Sequence, residues 1–407
     1  MPDALTLIVA ISYLSLLAWQ LNLKWRVVRN FRAPLPSLME DTECPQALVV
    51  LCLRGGDPFL KHSLGLLIQQ DYPRYQVRIV VDSPDDEAHG ILREVLGESL
   101  PPQIEVLNLT HRYPNCSLKI SGLLQATQNL PEGTKVVAVM DGDAVPHRGW
   151  LRELATPIVR EGAALSTGVR WYAPHRSTLG SLCRFWWNAS ATPMLLWYQI
   201  PWGGTMAVRS DLFLNENLRS RLQLAFGEDS AISQYALDLG ERIVYPPSLV
   251  IVNHEEIGVR EFFRFNVRQL ISARVSHHSW PWIVLHSLIS SLAMTYPLWR
   301  CMGLPVSGLA DIVFALYCFA MWGGELAQAA AFRRVLATRN ETIAGWNEWG
   351  RWVDSLLAVI VLPYLHLGAV LHASTLRRVC WRGVWYRVGG RPVLQVERDE
   401  WAERASR

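Results

Sequence analysis

The sequence predicts an α/β domain built on a mainly parallel sheet, with apolar helices before and after it. Three observations predict this. Short apolar runs alternate with helix-like segments between residues 45 and 255. An uncharged stretch of bilayer length opens the chain, and further apolar stretches follow the α/β region. Half of the 407 residues are hydrophobic and 18 are Trp, an aromatic load that suits membrane–water interfaces.

Residues 4–23, ALTLIVAISYLSLLAWQLNL, carry no charge, and Lys24, Arg26, Arg29 and Arg32 follow at once. By the positive-inside rule this end faces the cytoplasm. The basic residues come after the apolar run and no small-x-small cleavage site is present, so the segment reads as a retained anchor over 1–24. A juxtamembrane linker is expected over 25–44 and a cytoplasmic globular domain over 45–280.

Within that domain, ALVVLCL (47–53), YQVRIVVD (75–82), QIEVLNL (103–109) and KVVAVMD (135–141) read as strands. DEAHGILREVLGESL and SLKISGLLQATQNL read as helices between the last three. Such alternation predicts right-handed crossovers, with ligands bound beyond the carboxyl ends of the strands. The stretch 182–202 is too polar to span a bilayer. It reads equally as a core segment and as an interfacial lip.

After residue 281 come three apolar stretches, near 282–299, 308–330 and 355–373, with an amphipathic piece at 333–352 and a basic tail over 376–407. Three spans after a cytoplasmic domain would leave that basic tail outside, against the positive-inside rule. Either one stretch is re-entrant or a further crossing is hidden in a region read as surface.

The formal charge of +3 is too small to point to nucleic acid. Seven Cys with no CxxC pair argue against a disulfide framework or a thiolate zinc site, and read as reduced thiols.

The chemistry sits in three groups of carboxylates. Asp82 ends one strand, Asp141 and Asp143 end another, and Glu228 and Asp229 stand where a Gly-started loop enters a helix. Asp-x-Asp alone is a weak signal, since turns are rich in Asp and Gly. The ordered set, flanked by apolar helices, is specific enough to expect sugar transfer from a nucleotide diphosphate. Mn²⁺ or Mg²⁺ takes carboxylate and phosphate oxygens together, so Asp141 and Asp143 are expected to hold metal and donor. Asp82 would bind uracil or ribose, and Asp229, with Glu228 second, would deprotonate an acceptor hydroxyl. Lys119 and Trp202 (in WGGTMA) are further candidates for the diphosphate and the sugar or acceptor entrance.

From LVVLCLRGGDPFLKHSLGLLIQQDYPRYQVRIVVDSPDDEA through NCSLKISGLLQA, VMDGDA and WGGTMAVRSDLF to FGEDSAISQYALDLGERIVYPP, the chain resembles the ceramide glucosyltransferase group of family 2 glycosyltransferases. The resemblance covers most of residues 45–250. It implies a GT-A fold, a divalent metal, a UDP-sugar-type donor, inversion, and a lipid acceptor such as ceramide. It also implies roles for Asp82, Asp141, Asp143 and Asp229 that match those above, and aligns a donor-site Asn-x-Lys with Ser117 and Lys119. The group's (Gln/Arg)-x-x-Arg-Trp motif is degenerate here. Arg268 fits, but Phe265 and Gln269 replace its neighbours, and Arg264 is a possible substitute. A missing Trp argues against a processive polysaccharide synthase; a polyprenyl-phosphate sugar transferase remains the other enzymatic alternative.

Overall fold

A computed structural model describes residues 4–301, 308–339, 341, 349–389 and 393–400. The part of the expected amphipathic piece at 342–348 lies outside the described residues. The opening apolar run forms helix α1 (Ala4–Arg32). The α/β region follows as β1 (Gln46–Leu53), α2 (Leu60–Leu67), β2 (Tyr75–Val81), α3 (Ala88–Leu96), β3 (Ile104–Asn108), α4 (Leu118–Ala126), β4 (Thr134–Met140) and α5 (Trp150–Glu161). Strands β1 and β4 are almost fully buried, as the continuous apolar runs of a sheet covered on both faces require.

The second half of the domain contains β5 (Leu165–Thr167), β6 (Val169–Tyr172), α6 (Leu179–Tyr198), β7 (Thr205–Arg209), α7 (Ser210–Phe213) and α8 (Glu216–Leu222). It ends with α9 (Glu228–Asp238), β8 (Ile243–Val244) and β9 (Val250–Asn253). The main sheet has the order β3-β2-β1-β4-β7-β5-β8. Its first four strands are parallel, whereas β7 runs antiparallel to both neighbours. The chain winds outward on one side from β1 to β3 and on the other from β4, so a crevice opens between the ends of β1 and β4, where α/β sheets bind ligands. Arg54 and Asp141 stand at those two ends.

Four long helices follow: α10 (Val259–Ser276), α11 (Trp280–Cys301), α12 (Leu309–Ala337) and α13 (Trp349–Thr375). Three helical segments, Thr6–Arg32, Leu309–Ala337 and Asp354–Thr375, are long and apolar enough to cross a membrane. α1 and α12 run parallel. Tyr317 donates to Gln20 (2.8 Å), Lys24 pairs with Glu325 in a buried ion pair, and Arg334 donates to the Arg32 carbonyl (3.0 Å). α11 runs the opposite way, with Tyr13 beside Ala293 and Gln20 beside His286.

Both α12 and α13 end against the α/β domain. Just after α12, Arg339 donates to the carbonyls of Ser248 and Val250 (3.3 and 2.7 Å). At the far end of α13 Arg274 caps the carbonyls of Ala373 and Leu376. The C-terminal ends of α12 and α13 therefore both lie on the α/β domain. The outer face of α13, Leu356, Leu357, Ile360, Tyr364 and Leu371, is exposed and apolar at helical spacing.

The stretch read as a basic tail folds into a sheet: β10 (Arg378–Trp381), β11 (Val384–Val388) and β12 (Leu394–Asp399). Tyr386, Val384 and Val388 bury its inner face against Leu118, Phe226 and Val267 of the preceding domain. Charge pattern alone described these residues as a basic tail. Their alternating apolar positions instead give them a face to bury.

Candidate active site

A polar pocket of about 200 Å³ opens at the crevice. It gathers side chains from five places: Asp82 after β2, Lys119 on α4, Asp141 and Asp143 after β4, Trp202 before β7, and Asp229 on α9. Arg268, from α10, lines it too. All seven residues singled out in the sequence thus surround one space. Arg264 is exposed and lines neither this pocket nor the apolar cavity beside it.

Lys119 does not reach freely into the pocket. Its ammonium is held between Asp141 Oδ1 and Glu228 Oε1. The Ser117 side chain caps α4 by accepting from the Ile120 amide at 3.4 Å, which fixes Lys119 in the first turn. Burial raises the Asp141 pKa, but Lys119 and Arg170 more than offset this and leave it below the ordinary carboxylate range. Asp143 has the opposite balance. Burial dominates and raises it, while its nearest cation, Arg170, stands 4.0 Å away.

Asp229 is fixed by backbone. Its Oδ2 accepts from the Gly203 amide (3.2 Å), and its Oδ1 from the Ser230 amide and hydroxyl (2.6 and 3.2 Å). Burial nonetheless raises it above its usual value. Burial also raises Glu228, to about 7, Asp229 and Asp141 adding repulsion that Lys119 only partly relieves. The two glycines of WGGTMA have a steric reason. A Cβ on Gly203 would stand 2.3 Å from Glu228 Oε1, and one on Gly204 2.4 Å from the Trp202 ring. Arg170 lies over that indole at 4.0 Å, and the Trp202 Nε1 is buried without a partner.

Asp82 is committed as well. It pairs with Arg54 and, at 3.2 Å, with Arg112, and both arginines also bind Asp399 of β12. Burial leaves Asp82 above its ordinary pKa despite these cations.

Beside the polar pocket lies an apolar cavity of about 350 Å³, walled by α6, α10, α11, α12 and α13. Trp186, Trp187, Tyr198, Phe265, Phe314 and Trp322 are among its lining. The two spaces share Arg170, Trp202, Asp229, Gln269 and Ser272. The 182–202 stretch supplies one wall as helix α6, so it is both packed against the core and open to the cavity.

Over residues 5–393 the sequence matches glycosyl transferase family 21. The chain belongs to glycosyl transferase family 21. A search of curated proteins finds no match. Among solved structures, the mannosyltransferase PcManGT from Pyrobaculum calidifontis, in complex with GDP-Man and Mn²⁺, aligns at 18% identity and a TM-score of 0.51. The alignment covers 90% of this chain and 97% of that one. Glucosyl-3-phosphoglycerate synthase from Mycobacterium tuberculosis, in complex with Mn²⁺, UDP and phosphoglyceric acid, aligns at 14% identity with a TM-score of 0.39, over 60% of this chain and 86% of that one. The glycosyltransferase fold is thus GT-A-like, as the resemblance implied.

This family 21 glycosyltransferase carries three pocket residues that sequence reasoning passed over: Arg54, Arg170 and Arg382. Arg54 was legible as the residue ending β1. Arg170 and Arg382 had no local signal, because only the packing of β6 and of the β10–β11 turn brings them to the carboxylates.

Proposed function

We propose that the protein is an integral membrane glycosyltransferase that moves a sugar, with inversion, from a nucleoside diphosphate sugar to the hydroxyl of a membrane lipid. A UDP-glucose-type donor and a ceramide-type acceptor suit it best. One observation carries the reading: an apolar cavity walled by the long helices opens at Asp229 onto a pocket lined with carboxylates and arginines. A lipid lying in the cavity presents its head to the base, while the donor occupies the polar side.

The residues fit a divalent metal of one kind. Among the described residues no three His, Cys, Asp or Glu form a ready-made cage. Asp141 and Asp143, however, offer two carboxylates beside a pocket with room for phosphate oxygens, the way Mg²⁺ and Mn²⁺ are held with a nucleotide. When bound, such an ion offsets charge on the departing diphosphate. Lys119 keeps Asp141 ionised for that purpose, and Arg268, half-buried and without a carboxylate partner among the described residues, meets the diphosphate. Asp82 faces the nucleoside. Trp202, stiffened by Arg170, forms the floor between sugar and lipid. Asp229 takes the proton of the acceptor hydroxyl; its two backbone hydrogen bonds aim the carboxylate without supplying a proton of their own to the lipid.

A phosphate acceptor is disfavoured by charge. Arg170 is the only Lys or Arg lining the apolar cavity among the described residues, and it faces Asp141 and Asp143. An anionic head would meet Asp229 and Glu228 instead. A growing glycan is disfavoured because Gln269 replaces the expected Trp and the adjoining cavity is apolar. The basic residues that end α1 support a catalytic domain on the cytoplasmic face. α12 and α13 then bring the chain back to that face, where the C-terminal sheet packs.

The test is nucleotide release from a panel of UDP- and GDP-sugars by purified protein with Mn²⁺ or Mg²⁺, with and without ceramide or diacylglycerol. Release that needs both metal and lipid is expected. Release with a polyprenyl phosphate and with no lipid alcohol would overturn the hydroxyl-acceptor reading.

A further inference from the structure

We propose that the C-terminal sheet is part of the donor-binding machinery, and that Arg382, at the tip of its first turn, is a ligand of the donor's diphosphate. This rests on the nucleotide-sugar reading above and names a residue for it that lies more than 100 positions beyond the last GT-A carboxylate in the chain.

The turn itself is the first observation. Trp381 pairs with Val384, so Arg382 and Gly383 form a two-residue hairpin loop. Both have positive φ, +46° and +75°. Such turns favour Asn-Gly or Asp-Gly, because a Cβ in the left-handed region is strained. Arginine is a poor choice for that first position on conformational grounds. Strained residues of this kind gather at ligand clamps, where the side chain is needed.

The second observation is where the strained residue points. Arg382 lines the polar pocket together with Asp57, Asp141, Asp143 and Arg268. Its guanidinium donates to the Arg54 carbonyl and stands 3.4 Å from Asp57, yet 43% of the side chain stays exposed. Two guanidinium groups, Arg268 from α10 and Arg382 from the turn, thus line one small space. Arg268 stacks on Trp381 of the same hairpin (5.4 Å). The same space holds Asp57, Asp141 and Asp143, so it offers guanidinium donors and carboxylates side by side, the mixed lining that suits a diphosphate together with its metal.

The third observation is how the sheet is held. Arg54 donates from Nε to the Arg382 carbonyl (2.8 Å) and from Nη2 to Asp399 (2.6 Å). Arg112 bridges Asp399 and Asp82. Two cations and two anions, drawn from the ends of β1, β2 and β12 and the loop after β3, therefore lock the sheet to the nucleoside side of the pocket. Tyr386 accepts from the Leu118 amide (3.3 Å) at the start of α4, beside Lys119.

Arg382→Asn tests this, because Asn-Gly suits the turn better than Arg-Gly and removes only the guanidinium. Binding of UDP and of uridine, and of GDP and guanosine, would be measured on full-length protein with Mn²⁺, beside thermal unfolding. The expected result is an unchanged or higher Tm, a diphosphate Kd weakened about tenfold, and nucleoside binding within about twofold of wild type. Should R382N not fold, Arg382→Gln carries the same comparison. Diphosphate binding within twofold of wild type would overturn the proposal and leave the nucleotide-sugar reading standing. So would equal weakening of nucleoside and diphosphate, which would make Arg382 a structural pin. Wild type binding neither UDP nor GDP would instead overturn the reading on which it rests.

Discussion

Asp229 and Gly203 meet at the boundary between the polar pocket and the apolar cavity, the Gly203 amide donating to Asp229 Oδ2 at 3.2 Å. The contact sets the carboxylate at the one place reached from both sides. Asp229→Asn keeps the shape and one of the two backbone contacts, but its NH2 cannot accept the other amide and the side chain cannot take a proton. We expect kcat to fall by roughly 10²–10⁴-fold with donor KM nearly unchanged. Steady-state kinetics with saturating lipid would show it; a rise in donor KM with kcat intact would assign Asp229 to donor binding.

Lys119 is the only cation in contact with both Asp141 and Glu228 among the described residues. Lys119→Met leaves two buried carboxylates facing each other, and breaking such a pair costs about 3 kcal/mol or more. Thermal unfolding in detergent should show a clear drop in Tm, and adding Glu228→Gln should recover much of it. A Tm unmoved by K119M would mean that water already screens this cluster.

Glu228 gives the protein a pH signature. Burial lifts its pKa from 4.5 to about 7 in the folded state, so the folded protein holds this proton more tightly than the unfolded chain. The resulting stability is complete below pH 4.5 and is lost as pH rises through 7. It amounts to about 3 kcal/mol in the limit. Protein without metal or donor should therefore unfold at a higher temperature at pH 5 than at pH 8. Glu228→Gln should flatten that slope, and a wild-type slope retained in E228Q would assign it to another group.

Ala191 of α6 lines the apolar cavity without touching the polar pocket. Ala191→Trp should fill lipid space and raise acceptor KM at least tenfold, with donor binding unchanged. Equal loss with short- and long-chain acceptors would count against a lipid in this cavity.

Much of this was written locally in the chain. Strands end on Asp82, Asp141 and Asp143 because continuous apolar runs stop there, and a run that stops at a carboxylate is visible without coordinates. Glycines at 203 and 204, and the bilayer-length run that opens the chain, are of the same kind. The seven candidates could be named, and the motifs assigned, for that reason. Lys119 shows the limit. Its place at a helix start was readable, but its capture by Asp141 and Glu228 depends on α4, β4 and α9 meeting, and no local pattern encodes that.

The sequence by itself determined the catalytic vocabulary, the parallel half of the sheet and the apolar segments, since each follows from side-chain period and from residue type at strand ends. Only the tertiary structure decided that α13 ends on the α/β domain, that α6 and the long helices enclose a cavity ending at Asp229, and that strands β10, β11 and β12 pack beside the pocket. Hydropathy records how apolar a segment is, not which surface it buries. A basic tail and a pocket wall have the same composition, and what separates them is a set of contacts made across more than 300 residues of chain, such as Arg54 with Asp399.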